Sequence, residues 1–496
     1  MQAVYTGFLD ALSLGGILGV VSGVFLGYLI GVLPGLNRST ALALSIPVTM
    51  YLSPVAALGF LIGTAKGSAS GGAVTAILIN TPGEPASAAT CIDGYPMSRR
   101  GRPRSALRVA MFASFFGDIF GTLLLVGLAA PAASLALKIG PVELLAIFIL
   151  ALTFVSALSE GALVKGIISA ALGVFIGCVG LDIESGLPRM TFGFVELYDG
   201  VPLAAVSIGM LALTEMIFQI AQPDDESDAM QLQHAAPQDR LTGEETKNSL
   251  IAMLRGSVIG SFVGIVPGLG ASIGSFMSYT MTKQASKSPE RFGKGAPEGV
   301  AAAESADNAV VPASLIPLFS LGIPGSVSAA LLLGAFIIHG VTPGPLMFVQ
   351  HPSVVYGVYF TMILASLVML PMGLMCLPLF ARVVAIPLNI LVPAVIFVCL
   401  AGAYLESASM FGVYLTIAFG VVGVVFRLLG LNIISFLIGF VLAPAMELSL
   451  RQTLVLTDGR PEVFLQHWGA IAILAFTALS VSRIVLKQRR PKRATS

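Results

Sequence analysis

Four Pro-Gly dipeptides interrupt apolar stretches of the sequence and form two matched pairs. Pro34-Gly35 corresponds to Pro267-Gly268, and Pro82-Gly83 corresponds to Pro324-Gly325. Proline and glycine inside an apolar helix free backbone N–H and C=O groups that lipid cannot hydrogen bond, so such breaks persist where protein or water surrounds them. At matched breaks, half-helix N-termini attract anions and free carbonyl groups coordinate cations. The breaks therefore predict a site for a carboxylate substrate or a coupling ion.

Small polar side chains and further glycines cluster near these breaks. Hydroxyl and backbone N–H groups can bind a carboxylate, although a serine or threonine in a membrane helix commonly hydrogen bonds its own backbone. That alternative is favoured for any single serine, whereas the set of motifs as a whole favours a site. Besides the four dipeptides, the predicted site comprises Asn37, Lys66, Ser70, Gly71, Gly72, Asn80, Thr81, Glu84, Gly270, Ser272, Asp307, Asn308, Gly322 and Ser326.

The composition indicates which elements position these residues. Hydrophobic residues make up 56% of the 496 positions and charged residues 11%, compared with about 25% charged residues in soluble domains. Apolar runs such as 109–130 and 201–221 have the length of about 20 residues that a membrane-spanning helix needs. We therefore predict an all-α polytopic membrane protein with roughly 12–14 transmembrane segments, including broken or re-entrant helices.

The two sets of breaks indicate an internal duplication. Residues 23–36 read GVFLGYLIGVLPGL and residues 256–269 read GSVIGSFVGIVPGL, with six of fourteen positions identical. Small residues at every fourth position also suit close helix packing in lipid, but packing alone does not explain the repeated Pro-Gly-Leu. The predicted organisation is a first repeat over 1–221, a polar cytoplasmic linker over 222–249 and a second repeat over 250–496.

The distribution of Lys and Arg indicates that the repeats have inverted topology. Cytoplasmic loops carry an excess of Lys and Arg. The basic loop 98–108 follows the second break of the first repeat, whereas the basic loop 283–298 precedes the second break of the second repeat. Equivalent loops therefore face opposite sides, as in inverted-repeat transporters. The same rule predicts a cytoplasmic C-terminus and an N-terminus outside.

Longer motifs resemble a known family. They are GVLPGL (31–36), GGAVTAILINTPGEPASAATCIDGYPM (71–97), GIVPGLGASIG (264–274), EGVAAAESADNA (298–309) and LGIPGSVSAALLLGAFIIHGVTPGPLMF (321–348). The chain resembles the large membrane subunit of the tripartite tricarboxylate transporters (TctA-like) over essentially its whole length. The resemblance implies a secondary transporter in the bacterial cytoplasmic (inner) membrane, driven by a Na⁺ or H⁺ gradient. It also implies two partners, a small membrane subunit and a periplasmic solute-binding protein that delivers a tricarboxylate or related organic acid.

Two charged residues depart from the pattern of that family, Lys66 in TAKGSASGG (64–72) and Asp307 in the segment 305–308. An ionisable group inside a membrane segment is costly and commonly functional. Three interpretations remain open: the two residues pair with each other, Lys66 contacts the substrate, or both lie at wet helix ends.

Other classes of function have less support. The four histidines are scattered and form no catalytic or metal-binding constellation, and the sequence has no Gly-rich Lys-Ser/Thr loop for ATP. We therefore expect no enzyme activity, no resident cofactor and no nucleic-acid partner. An ion or organic-anion channel and a membrane-embedded enzyme are the alternatives to a transporter.

We expect the loop 98–108 to be cytoplasmic, which cysteine labelling in intact cells can test. In a background without the four native cysteines, Arg100→Cys should resist an impermeant thiol reagent. Asp199→Cys, in a loop predicted to lie outside, is the control and should react. Ready labelling at position 100 would contradict the inverted topology.

Overall fold

The computed structural model describes residues 2–33, 35–157, 163–182, 184–221, 239–383, 386, 388–458, 460 and 466–489, and these are almost entirely helical. The helices are α1 (Gln2–Leu12), α2 (Leu14–Gly31), α3 (Arg38–Thr49), α4 (Pro54–Ile79), α5 (Ala88–Arg99), α6 (Pro103–Ala136), α7 (Pro141–Ala157), α8 (Leu163–Gly177), α9 (Leu203–Ser207), α10 (Thr214–Ala221), α11 (Gly243–Ile265), α12 (Gly270–Gln284), α13 (Pro297–Ala313), α14 (Leu315–Leu321), α15 (Val327–Ile338), α16 (Met347–Gln350), α17 (Pro352–Met375), α18 (Leu377–Val383), α19 (Leu388–Ser407), α20 (Met410–Leu429), α21 (Ile433–Thr457) and α22 (Trp468–Arg489). Short 3₁₀ turns lie at Pro85–Ser87, Val195–Leu197 and Pro289–Arg291, and a π-helical segment, Ile208–Leu213, joins α9 to α10. Strands β1 (Gly180–Leu181) and β2 (Pro188–Arg189) form one small antiparallel pair.

Eight helical stretches in the described part of the chain are long and apolar enough to cross a membrane. They are Leu14–Gly31, Pro103–Ala136, Leu203–Ala221, Gly243–Ile265, Pro352–Met375, Asn389–Ser407, Met410–Leu429 and Ile433–Thr457. Four shorter apolar helices accompany them, at Pro141–Ser156, Leu163–Gly177, Val327–Ile338 and Trp468–Ser482. The prediction of an all-α polytopic membrane protein is confirmed.

Glycines allow α2 to pack directly on the backbone of α4. A Cβ atom added at Gly23 would lie 2.1 Å from the carbonyl oxygen of Phe60, and one at Gly27 would lie 2.3 Å from that of Thr64. Any side chain at these positions would separate the helices, so the four-residue glycine spacing keeps α2 against α4. The contacting residue numbers rise together, so α2 and α4 run in the same direction.

Helices α11 and α13 pack in the same way. A Cβ atom added at Gly256 would lie 2.6 Å from the carbonyl oxygen of Ala302, and one at Gly260 would lie 2.2 Å from that of Ala306. These glycines stand 233 positions after Gly23 and Gly27, and the residues they contact stand 242 positions after Phe60 and Thr64. The two sequence offsets that define the predicted duplication therefore also relate the two helix pairs.

Helix α6 runs parallel to α13. Gly117 lies against the backbone of Ser305, and Gly121, one turn later, lies against that of Ala309.

Helix α4, in contrast, runs antiparallel to α6. Lys66 contacts Thr122, whereas one turn further along α4 the side chain of Ser70 reaches Asn308, which is bonded to Ser114. The numbers rise on α4 and fall on α6. Since α6 is parallel to α13, the equivalent helices α4 and α13 run in opposite directions.

The two basic loops meet on one side of the protein. Arg102, in the loop before α6, forms an ion pair of 2.9 Å with Glu245 near the start of α11, and Arg291 lies 3.5 Å from the same carboxylate. Thr242 and Glu245 form a capping box that starts α11, so this helix begins inside the predicted linker 222–249. Residues 222–238 of that linker lie outside the described residues.

Ion pairs connect β2 and Asp182, which follows β1, to α21. Arg451 contacts Asp182, and Arg189 lies 2.6 Å from Glu447. The pKa of Asp182 is held well below its usual value, because the backbone N–H of Ser185 and the guanidinium of Arg451 stabilise its carboxylate.

Replacing Gly260 by alanine should destabilise the protein. The added methyl group would meet the α13 backbone, and overpacking of this kind costs about 1–3 kcal/mol. Gly127→Ala is the matched control, because a Cβ atom there meets nothing within 4 Å. Thermal unfolding in detergent should show a lower midpoint for Gly260→Ala alone, and equal midpoints for both variants would contradict the packing described above.

Candidate substrate and ion site

New helices begin directly after three of the breaks. Asn37 caps α3 by accepting a 2.9 Å hydrogen bond from the N–H of Thr40, and Ser326 caps α15 by accepting a 3.1 Å hydrogen bond from that of Ala329. Gly270 starts α12 in the left-handed region, with φ of 71°. Three helix N-termini therefore follow the breaks, and the first N–H groups of a helix, which have no acceptor within the helix itself, can bind an anion.

The two breaks within each half lie against each other. The N–H of Gly268 donates a 3.1 Å hydrogen bond to the carbonyl oxygen of Gly325. A Cβ atom added at Gly83 would lie 2.8 Å from the carbonyl oxygen of Gly31, and one at Gly325 would lie 3.2 Å from that of Gly264. The glycines therefore allow close backbone contact at equivalent points in the two halves.

Equivalent left-handed residues end the helices that precede the second breaks. Asn80 ends α4 with φ of 54°, and Gly322 ends α14 with φ of 74°. Thr81 then turns the chain, with its N–H donating to the carbonyl oxygen of Thr75. Pro82, Pro267 and Pro324 lie in the non-helical segments themselves, and Pro34 lies outside the described residues.

Arg38, in the first turn of α3, joins the two halves of the chain. Its Nη2 atom lies 2.8 Å from Glu84 Oε1, in the second break of the first half, and 2.8 Å from Asp307 Oδ1 on α13. The side chains of Arg38, Glu84 and Asp307 are only 7%, 10% and 2% exposed. A buried guanidinium thus connects residues that are 269 positions apart.

The structure contradicts two interpretations of Lys66. This side chain pairs with Asp118 of α6 at 2.8 Å rather than with Asp307, and it lies in the middle of α4 with 1% exposure rather than at a wet end. Its ammonium group also donates to the carbonyl oxygen of Met362 and to the hydroxyl groups of Thr122 and Ser366, over 2.7 to 3.2 Å. Four acceptors thus surround the three N–H donors of the ammonium group, so Lys66 has no donor left for a substrate in this conformation.

Ser70 and Asn308 meet where α4 crosses α13. Ser70 Oγ lies 3.5 Å from Asn308 Oδ1, and Asn308 Nδ2 donates 3.0 Å hydrogen bonds to Ser114 Oγ and to the carbonyl oxygen of Glu304. Gly71 and Gly72, next in α4, lie against Gly31 and Gly83. The predicted polar residues of this crossing are therefore brought together.

Two predicted residues contact groups that are not part of the Arg38–Glu84–Asp307 cluster. Ser272 lines an open groove on α12 beside Ile273 and Phe276. Gly35, with φ of 82°, packs against the side chain of Gln219 on α10.

Sequence reasoning missed Arg38, Asp118 and Glu304. Glu304 is fully buried on α13, and its carboxylate accepts hydrogen bonds of 2.5 Å from Thr90 and 3.1 Å from Ser114. All three residues are ionisable groups in apolar or motif segments, and that signal was available in the sequence.

Matched helix breaks and a buried ionic centre, in a chain whose described residues include eight helical stretches of membrane length, are the architecture of a multi-pass membrane transport protein. Residues 17–438 match the tripartite tricarboxylate transporter TctA family, and the chain belongs to that family. It is thus a large subunit of the tripartite tricarboxylate transporter type, in a system that includes partner subunits.

Two similar proteins come from Agrobacterium vitis. An uncharacterised 52.8 kDa protein in the TAR-I ttuC' 3' region is 38% identical over 487 residues, which cover 98% of this chain and 96% of that protein. An uncharacterised protein in the TAR-II ttuC' 3' region is 37% identical over 234 residues, 47% of this chain and 97% of that protein.

Removing either partner of the Lys66–Asp118 pair should destabilise the protein. Lys66→Met or Asp118→Asn alone strands a buried charge, at about 3–5 kcal/mol, whereas the double variant removes both charges and should recover part of the loss. Thermal unfolding midpoints of the single and double variants measure this coupling. Arg460→Met, at a pair that is 66% and 77% exposed, should leave the midpoint unchanged. Single and double losses that simply add would contradict the pairing.

Proposed function

We propose that this chain is the permease subunit of a tripartite secondary transporter that imports a tricarboxylate or related organic acid, coupled to an ion gradient. A periplasmic binding protein would deliver the acid, and a small membrane subunit would complete the system. The observation that carries the proposal is the buried Arg38, held at 2.8 Å by Glu84 and Asp307. It places a cation beside the helix breaks, where an entering carboxylate can replace one of its two partners.

The substrate carboxylates would bind at the helix N-termini that follow the breaks. Asn37 and Ser326 cap α3 and α15 with side-chain oxygens, and both caps can turn to donate to an anion. Backbone N–H groups in the first turn stabilise negative charge. A carboxylate at this position would compete with Glu84 or Asp307 for Arg38, and displacement of Asp307 would loosen the contact of Arg38 between the halves.

We further propose that the two halves are inverted repeats that alternate access to this site. The offsets of 233 and 242 relate the Gly27–Thr64 contact to the Gly260–Ala306 contact, and α4 and α13 run in opposite directions. The meeting of both basic loops at Glu245 supports a common, cytoplasmic side for them. The protein would lie in the bacterial cytoplasmic membrane with its N-terminus outside and its C-terminus in the cytoplasm.

Arg38→Lys should lower uptake strongly without loss of charge. A lysine cannot reproduce the fixed donor fork of arginine, and the loss of one charge-assisted hydrogen bond of about 1.5–3 kcal/mol corresponds to roughly a 10- to 100-fold lower rate. The measurement is uptake of labelled citrate, as a tricarboxylate probe, by proteoliposomes that contain this chain, the small membrane subunit and the binding protein.

Arg460→Lys provides the matched control for that experiment, because this arginine is 66% exposed and far from the breaks in sequence. It should transport like the wild type. Full activity of Arg38→Lys would contradict the role given to Arg38, and uptake that does not require the binding protein would contradict the tripartite assignment.

A further inference from the structure

The buried charges at the centre of the protein do not balance. Lys66 is neutralised by Asp118, and Arg38 is shared between Glu84 and Asp307. Among the described residues, no Lys, Arg or His lies within ion-pair distance of Glu304, which is 0% exposed. An uncompensated buried carboxylate is strongly disfavoured. Glu304 therefore requires a cation in at least one state of the protein.

The surroundings of Glu304 offer hydroxyl groups in place of a positive charge. Thr90 Oγ1 on α5 donates to Oε1 over 2.5 Å, and Ser114 Oγ on α6 donates to Oε2 over 3.1 Å. Oxygen atoms 2.5 to 3.1 Å apart share a hydrogen bond, which leaves no room for a metal ion between them. The arrangement therefore suits a proton on the carboxyl group better than a metal ion. The described part of the chain also contains no cluster of three acidic, His or Cys side chains that could hold a metal.

The other titratable and charged neighbours already have partners or are uncharged. Arg38 on α3 and Lys66 on α4 are paired as above, and Asp93 on α5 accepts hydrogen bonds from Tyr279 on α12 and from the backbone N–H groups of residues 293, 295 and 296. Cys91 on α5 and Tyr28 on α2 are an uncharged thiol and phenol. The remaining carboxyl groups near Glu304 are Glu84 and Asp307, and because these two share one arginine they leave no positive charge for Glu304.

We propose that Glu304 carries the coupling proton, an inference that rests on the proposed function as a transporter. In the outward-facing state a carboxylate oxygen of Glu304 forms an O–H bond with a proton from outside. In the inward-facing state that bond breaks, the proton passes to cytoplasmic water, and the carboxylate again accepts hydrogen bonds from Thr90 and Ser114.

A chain of hydrogen bonds connects this proton to the substrate region. Ser114 accepts from Asn308 Nδ2, and Asn308 Oδ1 faces Ser70 on α4. A protonated Glu304 must donate its own hydrogen to Thr90 or Ser114, so one of these hydroxyl groups must turn. If Ser114 turns, its hydrogen leaves Glu304 for another acceptor while its oxygen still accepts from Asn308 Nδ2, so the proton rearranges the hydrogen bonds that join α6 to α13.

The first test detects the proton on Glu304 in the absence of substrate. Infrared difference spectra of the full chain with its small membrane subunit in nanodiscs, between about pH 5 and about pH 9, should contain a protonated-carboxyl band that Glu304→Gln removes. Glu406→Gln is the matched control, because Glu406 on α19 also lacks an ion-pair partner in the described structure and should leave this band in place. A band that persists in Glu304→Gln would overturn the proposal.

The second test separates coupling from substrate movement. In proteoliposomes with the complete three-subunit system, the rate of citrate counterflow by Glu304→Gln should stay within about twofold of the wild-type rate. Accumulation driven by a pH gradient should fall at least tenfold. Glu406→Gln should keep both activities. Accumulation by Glu304→Gln that still follows the pH gradient, or a folded variant without counterflow, would overturn the proton role.

Two further outcomes distinguish the failures. Wild-type protein that transports no citrate contradicts citrate as the substrate and leaves other organic acids, while the infrared result still decides the protonation of Glu304. Wild-type accumulation that follows a sodium gradient and ignores a pH gradient overturns the proton role and leaves the transporter assignment intact.

If Glu304→Gln does not fold, Thr90→Val replaces it. Loss of the donor to the carboxylate should shift the pH of half-maximal uptake upward by about 1 unit, because the ionised form loses a hydrogen bond. An unchanged pH profile in that variant would contradict the proposal.

Discussion

The arrangement of the centre depends on one buried interaction, the contact of Arg38 with two carboxylates from different halves of the chain. Moving such ions out of water costs several kcal/mol for each ion, and good geometry is needed to repay that cost. Glu84 lies in the second break of the first half, Asp307 lies on α13, and Arg38 lies at the start of α3. All three elements must therefore hold their places for the contact to persist.

Close helix packing provides that rigidity. Gly23 and Gly27 hold α2 on the backbone of α4, and Gly256 and Gly260 hold α11 on that of α13. The α2–α4 pair and the α11–α13 pair, which run in opposite directions, meet where Ser70 faces Asn308. The Ser70–Asn308 contact between the pairs joins polar side chains, whereas the glycine contacts within each pair are backbone against backbone. Under the proposed mechanism, this difference allows the halves to move against each other without coming apart internally.

Much of this centre follows from the sequence, because breaks and their caps are local features. The positions of Asn37, Asn80, Gly322 and Ser326 at helix ends are set by the residues next to them. The partners of buried charges are not local. The offset of 242 aligns Lys66 with Asn308, which is next to Asp307 in the sequence. Neighbouring residues on a helix point about 100° apart. In the structure Asp307 faces Arg38, while Lys66 faces Asp118. Ser272 shows the same limitation, since its position near a break does not fix the face of α12 on which it lies.

The position of the bound carboxylate decides whether Arg38 and the helix N-termini form the substrate site. A cryo-electron microscopy structure of the complete transporter in nanodiscs with citrate would give that position. We predict density for carboxylate oxygens within hydrogen-bonding distance, about 3.2 Å, of Arg38 and of the N-terminal backbone of α3 or α15. Density elsewhere, such as along α7 and α22, with Arg38 still bound to Glu84 and Asp307 in every state, would contradict it.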